Sequence, residues 1–206
     1  MTKVAVYSGS FNPLHIGHLA IIKYMIEVAG FDMVYLIVSP KNPLKDSISS
    51  DSGISRYKAA VEAVNRHFVN KAEQKVRKSG YSDLRICSAT RVKVDDIELT
   101  MPEPHYTIRT LDALHEREPE NTFTFVMGAD NLADIRRWRD YARILTEFGA
   151  AVYPRTGFDL EKIRQDLLNE NPAYKIQIIN APMVDISSSQ IRSALDKGED
   201  VSHLLM

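Results

Sequence analysis

Two of the six histidines of this chain stand three positions apart, in the segment GSFNPLHIGH at positions 9–18. Gly9 permits a sharp turn and a close approach of backbone to a ligand, because glycine has no Cβ. Gly17 stands where a helix is expected to begin, and the first amides of a helix bind anions. His15 and His18 share one helical face. An imidazolium pair at the positive end of a helix needs a nearby anion such as a triphosphate. The structural alternative is that both rings cap the helix or satisfy buried polar groups.

A second anion site is predicted in the segment ISSSQIR at positions 186–192. A serine hydroxyl there can cap the start of a helix, and further hydroxyls and backbone amides can face a phosphate. Arg192 falls one turn later on the same side, where its guanidinium can hold phosphate oxygens. Taken alone, this segment is better explained as an ordinary serine-capped helix, and the segment at 9–18 is what favours a ligand.

The elements that must position these segments alternate along the chain. Strands are predicted at 3–8, 33–39, 122–127, 150–153 and 175–180, and an extended stretch at 84–94. Helices are predicted at 17–29, 54–68, 107–116, 159–169 and 188–197, and helical turns at 132–148. This alternation predicts an α/β fold with a doubly wound parallel sheet, Rossmann-like, in a single domain over 1–206. The polar stretch at 69–83 is interpreted as a solvated excursion.

Ligands of such sheets bind beyond the carboxyl ends of the strands. The site is therefore expected to form from the loops 8–18, 39–55, 95–107, 128–139 and 181–192.

Composition excludes several classes of protein. The chain has 206 residues, 44% hydrophobic and 26% charged, and a formal net charge of -1, so no basic excess indicates a nucleic-acid partner. No apolar run approaches the length of a membrane span or a signal peptide, which predicts a cytoplasmic protein without a membrane partner. The single cysteine, Cys87, excludes an intramolecular disulfide and a cysteine zinc site, and is interpreted as a buried strand residue. A homo-oligomer is one of the states that the sequence allows.

The segment at 9–18 is similar to the G-x-[FY]-[DN]-P-x-H-x-G-H signature of the nucleotidyltransferase superfamily, which comprises adenylyl- and cytidylyltransferases related to class I aminoacyl-tRNA synthetases. The segment at 186–192 resembles the superfamily's I-S-S-T-x-[IV]-R motif. The chain contains no G-x-x-x-x-G-K-[ST] loop, so ATP would be bound without that device.

Further motifs resemble the bacterial nicotinate mononucleotide adenylyltransferase branch. MGADNL at 127–132 is similar to its G-x-D-x-L, and Trp138 follows at matching spacing. PHYTIRTL at 104–111 is similar to P-S-Y-T-x-D-T-L, with His105 in place of Ser and Arg109, interpreted as part of a solvated helix face, in place of Asp. PKNPLK at 40–45 resembles P-x-[NQ]-x-P-P-H-[KR], one residue shorter and without its His. Arg56 matches the family's Arg in the next helix, and Arg155 lies in a disturbed R-P-G-[YF] motif.

The resemblance implies a role for each matched residue. Catalysis falls to His18 at the α-phosphoryl group and to His15, Lys45 and Arg192 at the β- and γ-phosphates. ATP binding is assigned to Gly9, Ser10, Phe11, His15, His18, Gly128, Asp130, Ile186, Ser187, Ser188, Ser189 and Arg192. Acceptor binding is assigned to Asn42, Tyr106, Thr107 and Trp138, whose indole would stack on the pyridine ring. Mg²⁺ is expected to arrive with ATP and bridge its phosphates, without a dedicated protein metal site.

The implied reaction transfers an adenylyl group from ATP to nicotinate mononucleotide, giving nicotinate adenine dinucleotide and pyrophosphate, in NAD biosynthesis. The alternatives are a sister adenylyltransferase acting on nicotinamide mononucleotide or phosphopantetheine, a cytidylyltransferase, or an ATP-binding module without turnover. Such a module would have no need of the transition-state group, so the presence of His15, His18, Lys45 and Arg192 favours an enzyme.

Overall fold

The computed structural model of the chain describes residues 1–40, 53–69, 91–182 and 186–206. Its centre is a six-stranded sheet in the order β3-β2-β1-β4-β5-β6, and every neighbouring pair is parallel. The strands are β1 (Lys3–Gly9), β2 (Met33–Val38), β3 (Val92–Asp95), β4 (Thr122–Gly128), β5 (Ala150–Tyr153) and β6 (Ile176–Ile178). The predicted doubly wound parallel sheet is confirmed.

Helices flank both faces of this sheet. They are α1 (Ile16–Glu27), α2 (Gly53–Val64), α3 (Ile97–Thr100), α4 (Thr107–Arg117), α5 (Ala129–Ala133), α6 (Tyr141–Arg143), α7 (Leu160–Glu170) and α8 (Ser188–Asp196). Asn65–Val69 and Ile144–Phe148 form π-helical turns, and Ile135–Arg137 and Ser202–Leu204 form 3-10 turns. None of the helices in the described ranges has the length and apolar character needed to cross a membrane.

The central strands are buried on both faces, which explains their apolar sequence without alternation. In β1, Ala5 and Tyr7 belong to the core cluster that contains Ile22 of α1. Val4 and Val6 belong to the opposite cluster, which contains Leu111 of α4. The sheet is therefore the middle of three layers.

The strand order reverses at β1. The chain runs outward from β1 through β2 to β3, and then crosses back to place β4 on the other side of β1. Tyr7 of β1 pairs with Val126 of β4, so Gly9 and Gly128 end neighbouring strands at one edge of the sheet. A crevice at such a switch point is where doubly wound sheets bind their ligands.

Most elements predicted within the described ranges are present with small shifts at their ends; of the extended stretch predicted at 84–94, residues 92–94 fall in β3 and 84–90 lie outside those ranges. The exception is α3, because 95–107 was expected to be a loop; the Asp95 carboxylate accepts a hydrogen bond from the Ile97 N–H (3.0 Å) and starts this short helix. The helical turns predicted at 132–148 are present as separate short elements, interrupted at Asp140, which is in the left-handed region at φ 51°. The predictions for Asn42, Lys45, Cys87 and 70–83 lie outside the described residues.

One buried arginine joins the ends of the neighbouring strands β1 and β2. The Arg56 side chain is 5% exposed, and its guanidinium donates to the carbonyl oxygens of Ser10 (2.7 Å), Ser39 (2.8 Å) and Pro40 (2.7 Å). Ser10 follows β1, and Ser39 and Pro40 follow β2. Arg56 therefore fixes the backbone on which the site is built.

Replacing Arg56 with Met should lower the free energy of unfolding by about 2–4 kcal/mol, because three carbonyl groups lose a charged donor. Urea denaturation followed by circular dichroism measures this loss. Arg66→Met removes an exposed arginine from the turn after α2, and its effect should stay within about 0.5 kcal/mol. Similar losses in both variants would show that Arg56 does not act as a clamp.

Candidate active site

The start of α1 is capped by the two histidines of the segment at 9–18. The Nδ1 atom of His15 accepts a hydrogen bond from the Gly17 N–H (3.2 Å). The Nδ1 atom of His18 accepts from the His15 N–H (3.2 Å), and the two ring centroids are 3.8 Å apart. The capping alternative raised from the sequence is therefore realised, but with only one nitrogen of each ring.

Both rings are neutral near pH 7, unlike the imidazolium pair considered from the sequence. Burial, followed by the positive charge of Arg155, lowers the pKa of His15 to about 4. Burial, followed by His15 and Arg155, lowers the pKa of His18 to about 3. Because Nδ1 accepts in each ring, the neutral tautomer carries its proton on Nε2. Each ring can therefore donate from Nε2 to a phosphate oxygen.

Phe11 supports this loop from below. Its side chain is 3% exposed, and its ring lies edge-on to that of His18 with centroids 5.3 Å apart. Its backbone is in the left-handed region at φ 43°, which is unfavourable for a residue with a bulky side chain. A contact between Phe11 and a nucleotide would have to come from its backbone.

The second predicted phosphate segment lies against the first. The Arg192 Nη1 donates to the carbonyl oxygen of Asn12 (2.7 Å), and the Ser188 hydroxyl donates to that of Pro13 (3.2 Å). A Cβ placed on Gly17 would lie 3.5 Å from Cγ2 of Ile186. The two segments that were predicted separately are thus parts of one surface.

The serines of the second segment all have partners within the protein. Ser187 is the N-cap of α8, and its hydroxyl oxygen accepts from the Gln190 N–H (3.2 Å). The Ser189 hydroxyl oxygen accepts from Nη2 of Arg192 (3.1 Å). These bonds hold the first turn of α8 against the loop after β1.

Gly128 and Asp130 form a third part of the same edge, where β4 ends and α5 begins. A Cβ on Gly128 would lie 2.3 Å from Oδ1 of Asp130, so only glycine fits beneath this carboxylate. Oδ1 is buried without a hydrogen-bond partner among the described residues. The Asp130 side chain as a whole is 47% exposed, so atoms other than Oδ1 are the ones that solvent or a ligand can reach.

Arg155 is a site residue that the sequence argument gave little weight. Its Nε lies 3.7 Å from Oδ1 of Asp130, and its Nη2 donates to the Tyr153 hydroxyl (3.3 Å). Its charge also acts on the pKa of His15 and His18. The order of its R-P-G-[YF] motif is disturbed, and the remaining signal in the sequence is an arginine two residues after the end of β5.

Three of the predicted acceptor residues lie in the described ranges. Trp138 packs against the core cluster that contains Leu111 of α4, and Tyr106 and Thr107 lie at the start of α4. Trp138 is partly exposed and packs edge-on against Phe125 of β4, with ring centroids 5.8 Å apart. Tyr106 is the N-cap residue of α4 and is 38% exposed, and Thr107 is the first residue of the helix.

The two departures from the family motif hold the loop before α4. Nε2 of His105 lies 3.1 Å from the carbonyl oxygen of Met101, within hydrogen-bond distance. The Arg109 guanidinium donates to the carbonyl oxygen of Pro104 (2.8 Å). Arg109 is bound to its own loop rather than directed at a substrate.

The chain matches the cytidylyltransferase-like family model over residues 6–194. A relative from Flavobacterium johnsoniae, described as "Probable nicotinate-nucleotide adenylyltransferase", is 34% identical over 98% of this chain and 91% of its own length. A second relative of the same description, from Flavobacterium psychrophilum, is 36% identical over the same shares. This chain belongs to the nicotinate-nucleotide adenylyltransferase family.

The fold agrees with this family. A Plasmodium falciparum nicotinic acid mononucleotide adenylyltransferase complexed with NaAD is similar with a TM-score of 0.72, at 21% identity, over 98% of this chain and 88% of that one. A structure of the same Plasmodium enzyme complexed with APC gives a TM-score of 0.68 at 19% identity, over 100% of this chain and 90% of that one. At such identities the likeness shows the fold alone.

The histidine pair should be visible as neutral Nε2–H tautomers by ¹⁵N NMR of the imidazole rings at pH 7. The folded pKa values of about 4 and about 3 lie below the ordinary 6.5, so the unfolded chain binds more protons across that range. Stability should therefore fall as the pH is lowered from about 6.5 to about 3. The double variant His15→Asn/His18→Asn retains capping oxygens and should show a weaker dependence on pH. Ring titration near 6.5 would contradict the neutral pair.

Proposed function

We propose that this chain transfers the adenylyl group of ATP to nicotinate mononucleotide, releasing pyrophosphate and forming nicotinate adenine dinucleotide. The observation that carries this proposal is the junction of the loop after β1 with the start of α8, at the switch point of the sheet. Two helix starts, two neutral histidines and two arginines converge there. Such a surface suits a triphosphate.

The proposed reaction is a single in-line displacement. An oxygen of the acceptor's 5′-phosphate forms a bond to the α-phosphorus of ATP, and the bond from that phosphorus to the α,β-bridging oxygen breaks. Pyrophosphate leaves with the bonding electrons. The attacking phosphate is already ionised near pH 7, so the protein needs to supply position and charge stabilisation rather than a general base.

The histidines supply donors without net charge. In the proposal His18 donates from Nε2 to the α-phosphoryl oxygens as their charge develops, while His15 and Arg192 hold the β- and γ-phosphates. Ser188, Lys45 and the amides of Gly9 and Ser10 complete this set. Arg155, beside the two rings, adds a fixed positive charge at the site.

The turn at Gly128 is proposed to hold the adenosine part of ATP. The exposed part of the Asp130 carboxylate can accept a hydrogen bond from a ribose hydroxyl or the adenine amino group. The carboxylate fits there because Gly128 has no Cβ. The described residues contain no group of three or more potential metal ligands. We propose that Mg²⁺ enters with ATP and is held mainly through the phosphates, as is usual for Mg²⁺ at nucleotide sites.

The start of α4 favours an acidic acceptor over an amide. The side chain of the N-cap residue Tyr106 makes no hydrogen bond to the first turn of this helix. The backbone amides near Thr107, at the positive end of the helix dipole, can therefore face a carboxylate. Trp138 offers a flat ring for the pyridine, and Asn42 is retained from the family motif as a further acceptor contact. We place this reaction in NAD biosynthesis in the cytoplasm, without a nucleic-acid or membrane partner and with a homo-oligomer allowed.

Pyrophosphate release from ATP should be rapid with nicotinate mononucleotide and much slower with nicotinamide mononucleotide or phosphopantetheine. In the same assay His18→Ala should lower kcat by about 10²–10³-fold, with a far smaller change in ATP affinity, because its donor acts on the transition state. Near-normal turnover in that variant would remove His18 from the mechanism, and turnover only with another acceptor would refute the proposed substrate.

Trp138→Leu should raise the KM for nicotinate mononucleotide by about 10-fold, because a stacked ring contributes on the order of 1–3 kcal/mol. The KM for ATP should change by less than about 3-fold. Trp138→Phe keeps an aromatic face and serves as the matched control, with a small effect. Equal effects of both substitutions on both substrates would assign Trp138 to packing alone.

A further inference from the structure

A buried carboxylate lies at the carboxyl edge of the sheet, outside the groups assigned above. Glu98, the second residue of α3, is 3% exposed. Its Oε2 accepts from the Ser39 hydroxyl (2.5 Å), and its Oε1 accepts from the Thr110 hydroxyl (2.8 Å). No lysine, arginine or histidine of the described ranges forms an ion pair with it. A carboxylate buried with two hydroxyl donors is costly, so stability alone does not explain this residue.

The two hydroxyls belong to opposite halves of the site. Ser39 directly follows β2, and its hydroxyl oxygen lies 3.1 Å from that of Ser8, the residue before Gly9. Thr110 lies in the first turn of α4, and its hydroxyl is 3.5 Å from the carbonyl oxygen of Tyr106. Glu98 therefore connects the strand ends that carry the phosphate loop to the helix start that carries Tyr106 and Thr107.

We propose that Glu98 is a positioning residue for the acceptor. Its hydrogen bond with Thr110 fixes the first turn of α4. Its hydrogen bond with Ser39 connects that turn to the ends of β1 and β2. In-line transfer needs the acceptor phosphate aligned with the α-phosphorus. A small displacement of one substrate site relative to the other therefore lowers the reaction rate strongly. This inference rests on the proposed function, because it names how the acceptor half of that site is held.

A carboxylate suits this position because both neighbouring hydroxyls donate to it. The amide of Gln has the same shape but only one accepting oxygen. In Glu98→Gln the amide nitrogen faces one of the two hydroxyls and donates to its oxygen, so that hydroxyl must turn its own proton away, either from Ser39 toward Ser8 or from Thr110 toward the Tyr106 carbonyl. The substitution reverses one arm of the connection and replaces a charge-assisted hydrogen bond with a weaker neutral one, while nearly preserving volume.

Steady-state kinetics of the full chain with nicotinate mononucleotide and Mg–ATP test this inference. Glu98→Gln should raise the KM for the acceptor by about 10-fold and lower kcat by about 10-fold, while the KM for ATP stays within about 2-fold. Glu116→Gln, an exposed position on α4, is the matched control and should leave all three constants unchanged.

A second pair of variants decides the case even where Glu98→Gln fails to fold. Thr110→Val removes the hydroxyl and should reproduce the selective rise in acceptor KM, whereas Thr110→Ser keeps the hydroxyl and should restore near-normal values. Folded variants with an unchanged acceptor KM, or with both KM values raised equally, would overturn the inference. Absence of turnover in the unsubstituted chain would instead overturn the proposed function, so the two failures are distinguishable.

Discussion

The site depends on two hydrogen bonds from backbone N–H groups to imidazole nitrogens at the start of α1. They fix His15 and His18 through Nδ1, and thereby determine which nitrogen carries the proton. Each ring can then serve both the fold and the reaction, because Nδ1 caps the helix while Nε2–H can donate to a ligand. Burial keeps the rings uncharged, so they hold their places beside Arg155 without mutual repulsion.

Buried charged side chains also connect segments at the carboxyl edge of the sheet. Arg56 donates to carbonyl groups after β1 and β2, and Glu98 accepts from hydroxyls after β2 and in α4. Asp95, at the end of β3, is paired with Arg117 of α4. Each of these groups joins segments distant in sequence, at the edge where parallel strands leave their carbonyls without partners. Polar groups are concentrated here because this edge must be rigid and still open to a polar substrate.

The sequence predicted what depends on local pattern. Strand and helix alternation is sufficient for a doubly wound sheet, and the spacing of His15 and His18 is sufficient for a helix start. It did not predict α3, a helix too short to show periodicity, whose first N–H is held by the Asp95 carboxylate. The charge state of the histidines depends on burial and on Arg155, which reaches them only through the tertiary fold. Glu98 was missed for the same reason, since its two partners are far from it along the chain.

The contact between Asn12 and Arg192 spans 180 positions of the chain. Closing so long a loop is entropically expensive, and contacts of this separation form after local ones. During synthesis the first histidines would leave the ribosome long before α8 exists. The nascent polypeptide would thus carry an incomplete phosphate surface for most of its translation, and competence to bind nucleotide would be acquired in a late step.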